Sequence, residues 1–271
     1  AGYKVGYTTS DGVYIQNQMM MKGDCTGPVS STFVLKDPTV DFAVLECARG
    51  GILKNGLAFQ NCDVAVVTNI SADHIGLGGI DSMEQMAKVK QVVPETVFNH
   101  GYAILNADDD LVYAMKEGLK CNIAYFSMDE NNPRIKKHCK AGGYAAVFEN
   151  GYITIMKGTW KIRVIKVSEV PVTYGGKALH NVMNCLPAVL STYFWRDIEI
   201  AACEYWHTKG NITDAELNDI RTKSTFTVER ISEIEAEIHH DVIAFLTALA
   251  ENIGPASRHV HFGLTSSDVG D

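Results

Sequence analysis

Residues 62–109 read CDVAVVTNISADHIGLGGIDSMEQMAKVKQVVPETVFNHGYAILNADD. Two short runs in it, starting at Cys62 and at Gly101, are dense in Val, Ile and Ala and have no polar face. Strands covered by helices on both sides read this way, and parallel neighbours need a long crossover between them. The intervening residues 81–100 carry helical text, so the stretch predicts a strand–helix–strand unit. Similar runs stand at YKVGYTT (3–9), DFAVLE (41–46) and NIAYFSM (122–128), with turn residues between them. The alternation predicts a mainly parallel α/β sheet. Residues 144–167, YAAVFENGYITIMKGTWKIRVIKV, alternate in period two with turns at Glu149-Asn150-Gly151 and Lys157-Gly158. They read as β-hairpin decoration of that sheet, and a helix is expected next, over 181–193.

The chain has 271 residues, 46% of them hydrophobic, enough for one large domain or two. A net charge of −8 argues against nucleic acid as a partner, because phosphate binding needs a basic face. Seven cysteines (25, 47, 62, 121, 139, 185 and 203) include no C-x-x-C pair, which fits free thiols in a reducing, cytoplasmic setting. No apolar run approaches the roughly 18 residues of a membrane span, so no membrane partner is expected.

Charge and glycine both change near residue 200. Residues 201–271 hold 5 Lys/Arg against 12 Asp/Glu, and only 4 of the 23 glycines. This composition step predicts a change of architecture, with an α/β domain over 1–200 and an all-α helical segment over 201–271. Thr213-Asp-Ala-Glu216 is a capping box that starts a helix. A second helix is expected from Thr227 to Ile253, with Val228, Ile231, Ile234, Ile238, Val242, Phe245 and Leu249 as its buried stripe, ended by Gly254-Pro255. His239-His240-Asp241 lies off the stripe, with position 240 about 200° round from Ile238. That placement alone reads as a solvated polar face.

In open α/β sheets ligands gather at the carboxyl ends of strands. The first run ends in Thr8-Thr9-Ser10-Asp11, a hydroxyl-rich turn, and the second in Glu46-Cys47-Ala48-Arg49-Gly50-Gly51. The third ends in Thr68-Asn69-Ile70-Ser71-Ala72-Asp73-His74. A Glu at one strand end and Asp-His at the next can share a hard divalent ion with phosphate oxygens. Ordinary turn and capping chemistry accounts for the same residues, and spacing alone leaves both readings open.

GYTTSDGVYI, GDCTGPVSSTFVLKDPTVDFAVLECARGGILKNGLAF, CDVAVVTNISADHIGLGGID, LNADD and GGKALHNVMNCLPAVL follow one another over residues 1–200. Together they resemble the Mur-ligase-like module of the cyanophycin synthetase family. The resemblance implies a Mur-ligase-type central sheet and an ATP-dependent acid–amino-acid ligase. In that family ATP phosphorylates a carboxylate and an amine attacks the acyl phosphate; the substrate is a peptide polymer plus a small molecule. It further implies ATP and Mg²⁺ as cofactors, Glu46 and His74 as metal ligands, and Asn69 and Asp73 shaping the metal loop. Thr8 and Thr9 would lie on the phosphate side with Ser10 and Asp11 on the acceptor side. Asn181 and Asn184 match an H-N-x-x-N motif that contacts the nucleotide base; read without the family they are a cap and an exposed amide. Lys90 matches a lysine that is carbamylated in several Mur ligases, and Lys88 matches almost as well.

The phosphate loop of that family, G-x-x-G-K-T-T, precedes the strand YKVGYTT. The one Gly-Lys pair in this sequence, Gly176-Lys177, is followed by Ala178. Without the loop lysine and amides nothing cradles the β- and γ-phosphates, and the family's C-terminal domain is expected to be missing as well. The expectation is a partial ligase module, inactive by itself.

FTVERISEIEAEIHHDVIAFLTALAENIG and RHVHFGLTSSDVGD, within residues 196–271, resemble the N-terminal domain of the adenylosuccinate lyase family. That resemblance implies a catalytic role or phosphate contact for His240, and substrate binding by Thr265 and Ser266 with Asp268 supporting their loop. The chain then reads as a chimera of two enzyme fragments. Three functions follow: a partial ligase module, a fumarate-eliminating lyase fragment, or a non-catalytic nucleotide-binding scaffold whose helical tail drives homo-oligomer formation.

Overall fold

A computed structural model describes residues 4–262 other than 17, 41, 73, 74, 77, 239 and 240, and excludes the side chains of 195–198, 201, 228, 229, 232, 238, 241 and 242. The strands are β1 (Val5–Thr8), β2 (Gly12–Ile15), β3 (Gln18–Lys22), β4 (Phe42–Leu45), β5 (Cys62–Val67), β6 (Val97–Asn106), β7 (Asn122–Ser127), β8 (Tyr144–Glu149), β9 (Tyr152–Lys157) and β10 (Trp160–Lys166). The helices are α1 (Pro28–Lys36), α2 (Arg49–Asn55), α3 (Met83–Glu95), α4 (Asp110–Ala114), α5 (Pro133–Lys140), α6 (Leu179–Thr208), α7 (Asp214–Lys223), α8 (Val228–Ile238) and α9 (Asp241–Ile253). They gather into two compact units, one of Ala1–Cys25, Phe33–Leu45 and Thr192–Asp271, the other of Thr26–Thr32 and Glu46–Ser191.

The second unit holds a six-stranded sheet in the order β10-β9-β8-β7-β6-β5. Strands β5 to β8 are parallel, as the opening stretch predicts, and β8-β9-β10 continue as antiparallel hairpins. The first hairpin turns at Asn150 (φ 50°) and Gly151 (φ 84°), a left-handed pair that suits the twist of the flanking strands. On one face Val67, Ala103, Leu105, Tyr125, Ala145 and Val147 join Met86, Ala87, Val112 and Ile135 from the helices in one core. The alternate residues Ile104, Ala124, Phe126 and Ala146 are equally buried, so the central strands are covered on both sides.

Four expectations change. The first apolar run does not join this sheet: β1 pairs parallel with β4 in a separate four-stranded sheet, order β3-β2-β1-β4, whose β2 and β3 return antiparallel. The helix expected over 81–100 stops at Glu95, because Val97 enters β6 opposite Cys62, where the sheet accepts β-branched and aromatic residues.

The helix expected over 181–193 runs instead from Leu179 to Thr208. After Pro187 its sequence offers no Gly or Pro until Gly210 (φ 78°), so nothing ends it sooner. The composition change near residue 200 therefore falls inside one helix. The long helix expected over 227–253 is two elements. The Arg230 guanidinium donates to the Glu251 carboxylate at 2.9 and 2.7 Å, whereas 21 residues of straight helix span about 31 Å. Helix α9 thus folds back along α8. The capping box holds: Thr213 Oγ1 accepts from Glu216 N, and Glu216 Oε2 accepts from Thr213 N at 3.0 Å. Phe226 stacks on Tyr193 at 5.1 Å and meets Phe245 edge-on at 5.2 Å in the core of this helical part.

Candidate functional site

Parallel register brings the carboxyl ends of β5, β6 and β7 level: Val67 lies opposite Leu105, and Asn106 opposite Phe126. The loop that leaves β5 is gripped at three successive residues. Asn106 Nδ2 donates to the Thr68 carbonyl at 2.7 Å, Lys90 Nζ to the Asn69 carbonyl at 3.0 Å, and Ile70 N to Asp109 Oδ2 at 2.7 Å. Asp109 also caps α4, its Oδ1 accepting from Leu111 N at 2.9 Å and Val112 N at 3.0 Å. Asp108 ties in the third strand by accepting from Ser127 Oγ at 2.6 Å and Met128 N at 2.7 Å. The loop that runs on toward Asp73 and His74 is therefore held by β6, α3 and the N-terminus of α4. Asn106 and Asp109 were not singled out in the sequence, although the polar cluster Asn-Ala-Asp-Asp after an apolar strand marks them.

Helix α3 places the two lysines differently. Met83, Met86, Ala87 and Lys90 share one face at steps of three and four, with Met86 and Ala87 buried. Lys90 is thereby aimed at the loop after β5, while Lys88 is exposed. Asn69 is exposed above that bond.

Glu46 is exposed immediately after β4. The segment behind it packs on the chain before α1: Ala48 N donates to the Thr26 carbonyl at 3.1 Å. A Cβ at Gly51 would sit 3.0 Å from Gly27 Cα, tighter than most such contacts, so glycine suits this approach. The two segments line a small cavity with Thr26, Ser31, Cys47, Ile52, Leu57 and Phe59 among its walls. Burial pushes the Cys47 thiol up to about 11, which keeps it protonated and unreactive.

Thr8 to Asp11 form the tip of the β1–β2 hairpin. Thr9 N donates to the Gly12 carbonyl at 2.9 Å, and Thr9 Oγ1 accepts from Asp11 N at 3.1 Å. Thr8 is buried, and Ser10 and Asp11 are exposed. Asn181 lies in the first turn of α6, its Nδ2 donating to the Val172 carbonyl at 2.6 Å, and Asn184 is exposed three residues on. Asp73, His74, His240, Thr265, Ser266 and Asp268 lie outside the described residues.

Among the described residues no group of three or more His, Cys, Asp or Glu side chains is placed to hold a metal ion. Glu46 by itself is a single carboxylate, which does not fit a divalent cation without further ligands. Among the described residues no helix is long and apolar enough to cross a membrane.

The Mur ligase middle domain family matches residues 3–192. Over 192 residues, 71% of this chain, the sequence is 54% identical to the cyanophycin synthetase of Geminocystis herdmanii and 53% identical to that of a Synechocystis species. The match covers 22% of each of those proteins, so this chain spans about a fifth of their length. A further 77 residues, 28% of this chain, are 52% identical to 18% of the adenylosuccinate lyase of Synechocystis. The family match ends at residue 192, within α6. With most of its length matched and the parallel strands ending in one braced polar loop, the chain belongs to the Mur ligase middle domain family.

Proposed function

We propose that residues 1–200 are the ATP-dependent ligase module of a cyanophycin-synthetase-type enzyme, working through an acyl phosphate. The observation that supports this most is the loop at Thr68–Ile70, fixed to three other elements at the strand ends where this family's chemistry is expected. ATP and Mg²⁺ are the expected cofactors, and ATP when bound supplies the phosphoryl group that activates a carboxylate. The chain's own residues hold and orient. Lys90 fixes the Asn69 carbonyl, Asp109 fixes the Ile70 amide, and exposed Asn184 presents an amide to a base. A loop braced in this way is preorganised, so little ordering is left to be done when a ligand arrives. No step is assigned to Mg²⁺, because the described ligands do not complete a site.

The helical part after α6 is proposed as a lyase-derived packing element. A thermal-shift comparison of ATP with Mg²⁺ against adenylosuccinate tests the assignment. Stabilisation by ATP is expected; stabilisation by adenylosuccinate alone would transfer the assignment to the lyase half.

A further inference from the structure

Helix α5 carries PRIKKHCK. Ile135 and Cys139, one turn apart, are buried in the sheet core. The opposite face presents Lys136, Lys137 and Lys140, all exposed. Lys136 and Lys140 are four residues apart and Lys137 and Lys140 three, spacings at which like charges repel. Among the described residues no carboxylate pairs with these three lysines; Lys136 Nζ donates to the neutral Asn131 amide oxygen at 2.8 Å. Completing a helix dipole accounts for about half a unit charge at this C-terminus, far less than three ammonium groups.

Neighbouring elements add to the same surface. Lys116 and Arg134 lie over the Tyr113 ring, 3.7 and 4.3 Å from its centroid. Gly158 N donates to the Cys139 carbonyl at 3.0 Å, which places the turn after Lys157 against the end of α5. Of these six cations Lys136, Lys137 and Lys140 meet no carboxylate among the described residues, a local excess on a chain of net charge −8.

We infer that the outer face of α5 is a docking surface for an acidic polypeptide segment. Charge complementarity selects an anion, and the side-chain chemistry selects carboxylates over nucleic acid. Arg134 is already bonded to Asp110, so the patch offers lysine point charges and no unengaged guanidinium fork for bidentate phosphate recognition. Tyr113 has its ring engaged by Lys116 and Arg134, leaving no open platform for a base. An eight-residue helix extends about 12 Å, a length matched by a short run of acidic residues.

The test uses the full chain, a fluorescent ten-residue aspartate peptide, a neutral asparagine peptide of equal length, and a DNA oligonucleotide, followed by anisotropy at low and at physiological salt. The aspartate peptide is expected to bind most tightly, and K137E/K140E to weaken that binding about tenfold at low salt, less at high salt. Circular dichroism and melting of K137E/K140E should match the parent, since both side chains are exposed. Equal binding of the neutral peptide, unchanged affinity in the variant, or tighter binding of DNA would each overturn the inference. So would a salt-sensitive self-association that the variant abolishes while the peptide fails to bind, because the occupant would then be a second copy.

Discussion

Asp109 makes three of the contacts that shape the strand-end loop, and replacing it isolates their worth. In Asp109→Ala the N-cap of α4 loses its acceptor for Leu111 N and Val112 N, a loss of typically about 1 kcal/mol. The Ile70 amide, on a residue only 7% exposed, loses its 2.7 Å partner as well. Leaving such a donor unsatisfied costs about 1–3 kcal/mol. The sum is about 2–4 kcal/mol, to be read as the difference between parent and variant in urea denaturation. Asp109→Asn keeps a capping oxygen for Leu111 N and Val112 N but turns its NH2, a donor, toward Ile70 N, so it should lose about 1–3 kcal/mol from the Ile70 contact alone. Hydrogen exchange at the Ile70 amide supplies the local readout, accelerating in the alanine variant more than at amides of β8. A loss below about 0.5 kcal/mol with unchanged exchange at Ile70 would refute the bracing role.

Other positions give independent checks. Leu105 is fully buried at the centre of the parallel sheet, so Leu105→Ala should destabilise by about 2–5 kcal/mol in the same denaturation experiment. Glu216 has its carboxyl held down to about 2 by the Thr213 backbone and hydroxyl and then by His259. Its folded value lies below the ordinary 4.5, so its contribution is present above that pH and is lost as the pH falls toward 2. Glu216→Gln should therefore flatten the acid limb of a melting-temperature profile between about pH 4.5 and 2, and an unchanged limb would contradict the assignment.

How much was legible beforehand follows from how local each signal is. The parallel strands, the Asn150-Gly151 hairpin and the Thr213 capping box are written in a few adjacent residues, and each stands where the sequence puts it. Strands β2 and β3 escaped because Gly12–Ile15 and Gln18–Lys22 are short and, although Val13 is fully buried, Met19 and Met20 are exposed, so neither strand shows a regular alternation. The reach of α6 escaped because the end expected near residue 193 carries no stop signal, and the sequence offers none before Gly210. Periodicity cannot tell one long helix from two that fold back, since a stripe in steps of three and four serves both; the Arg230–Glu251 pair decides it. At the candidate site, spacing alone does not show that Lys90 reaches the Asn69 carbonyl while Lys88 is exposed; the face of α3 that meets the loop decides that. The polar cluster after β6 marks Asn106 and Asp109, but their partners Thr68 and Ile70 lie about forty residues away, and no local pattern names those partners.

The central proposal is that residues 1–200 are a ligase module whose strand-end loop, held at Thr68, Asn69 and Ile70, is preorganised for ATP. Thermal shift with ATP and Mg²⁺ on the 271-residue polypeptide and on Asp109→Ala tests that most directly. The proposal predicts that ATP with Mg²⁺ stabilises the parent and shifts the variant less. No shift in the parent, or an equal shift in both, would contradict it.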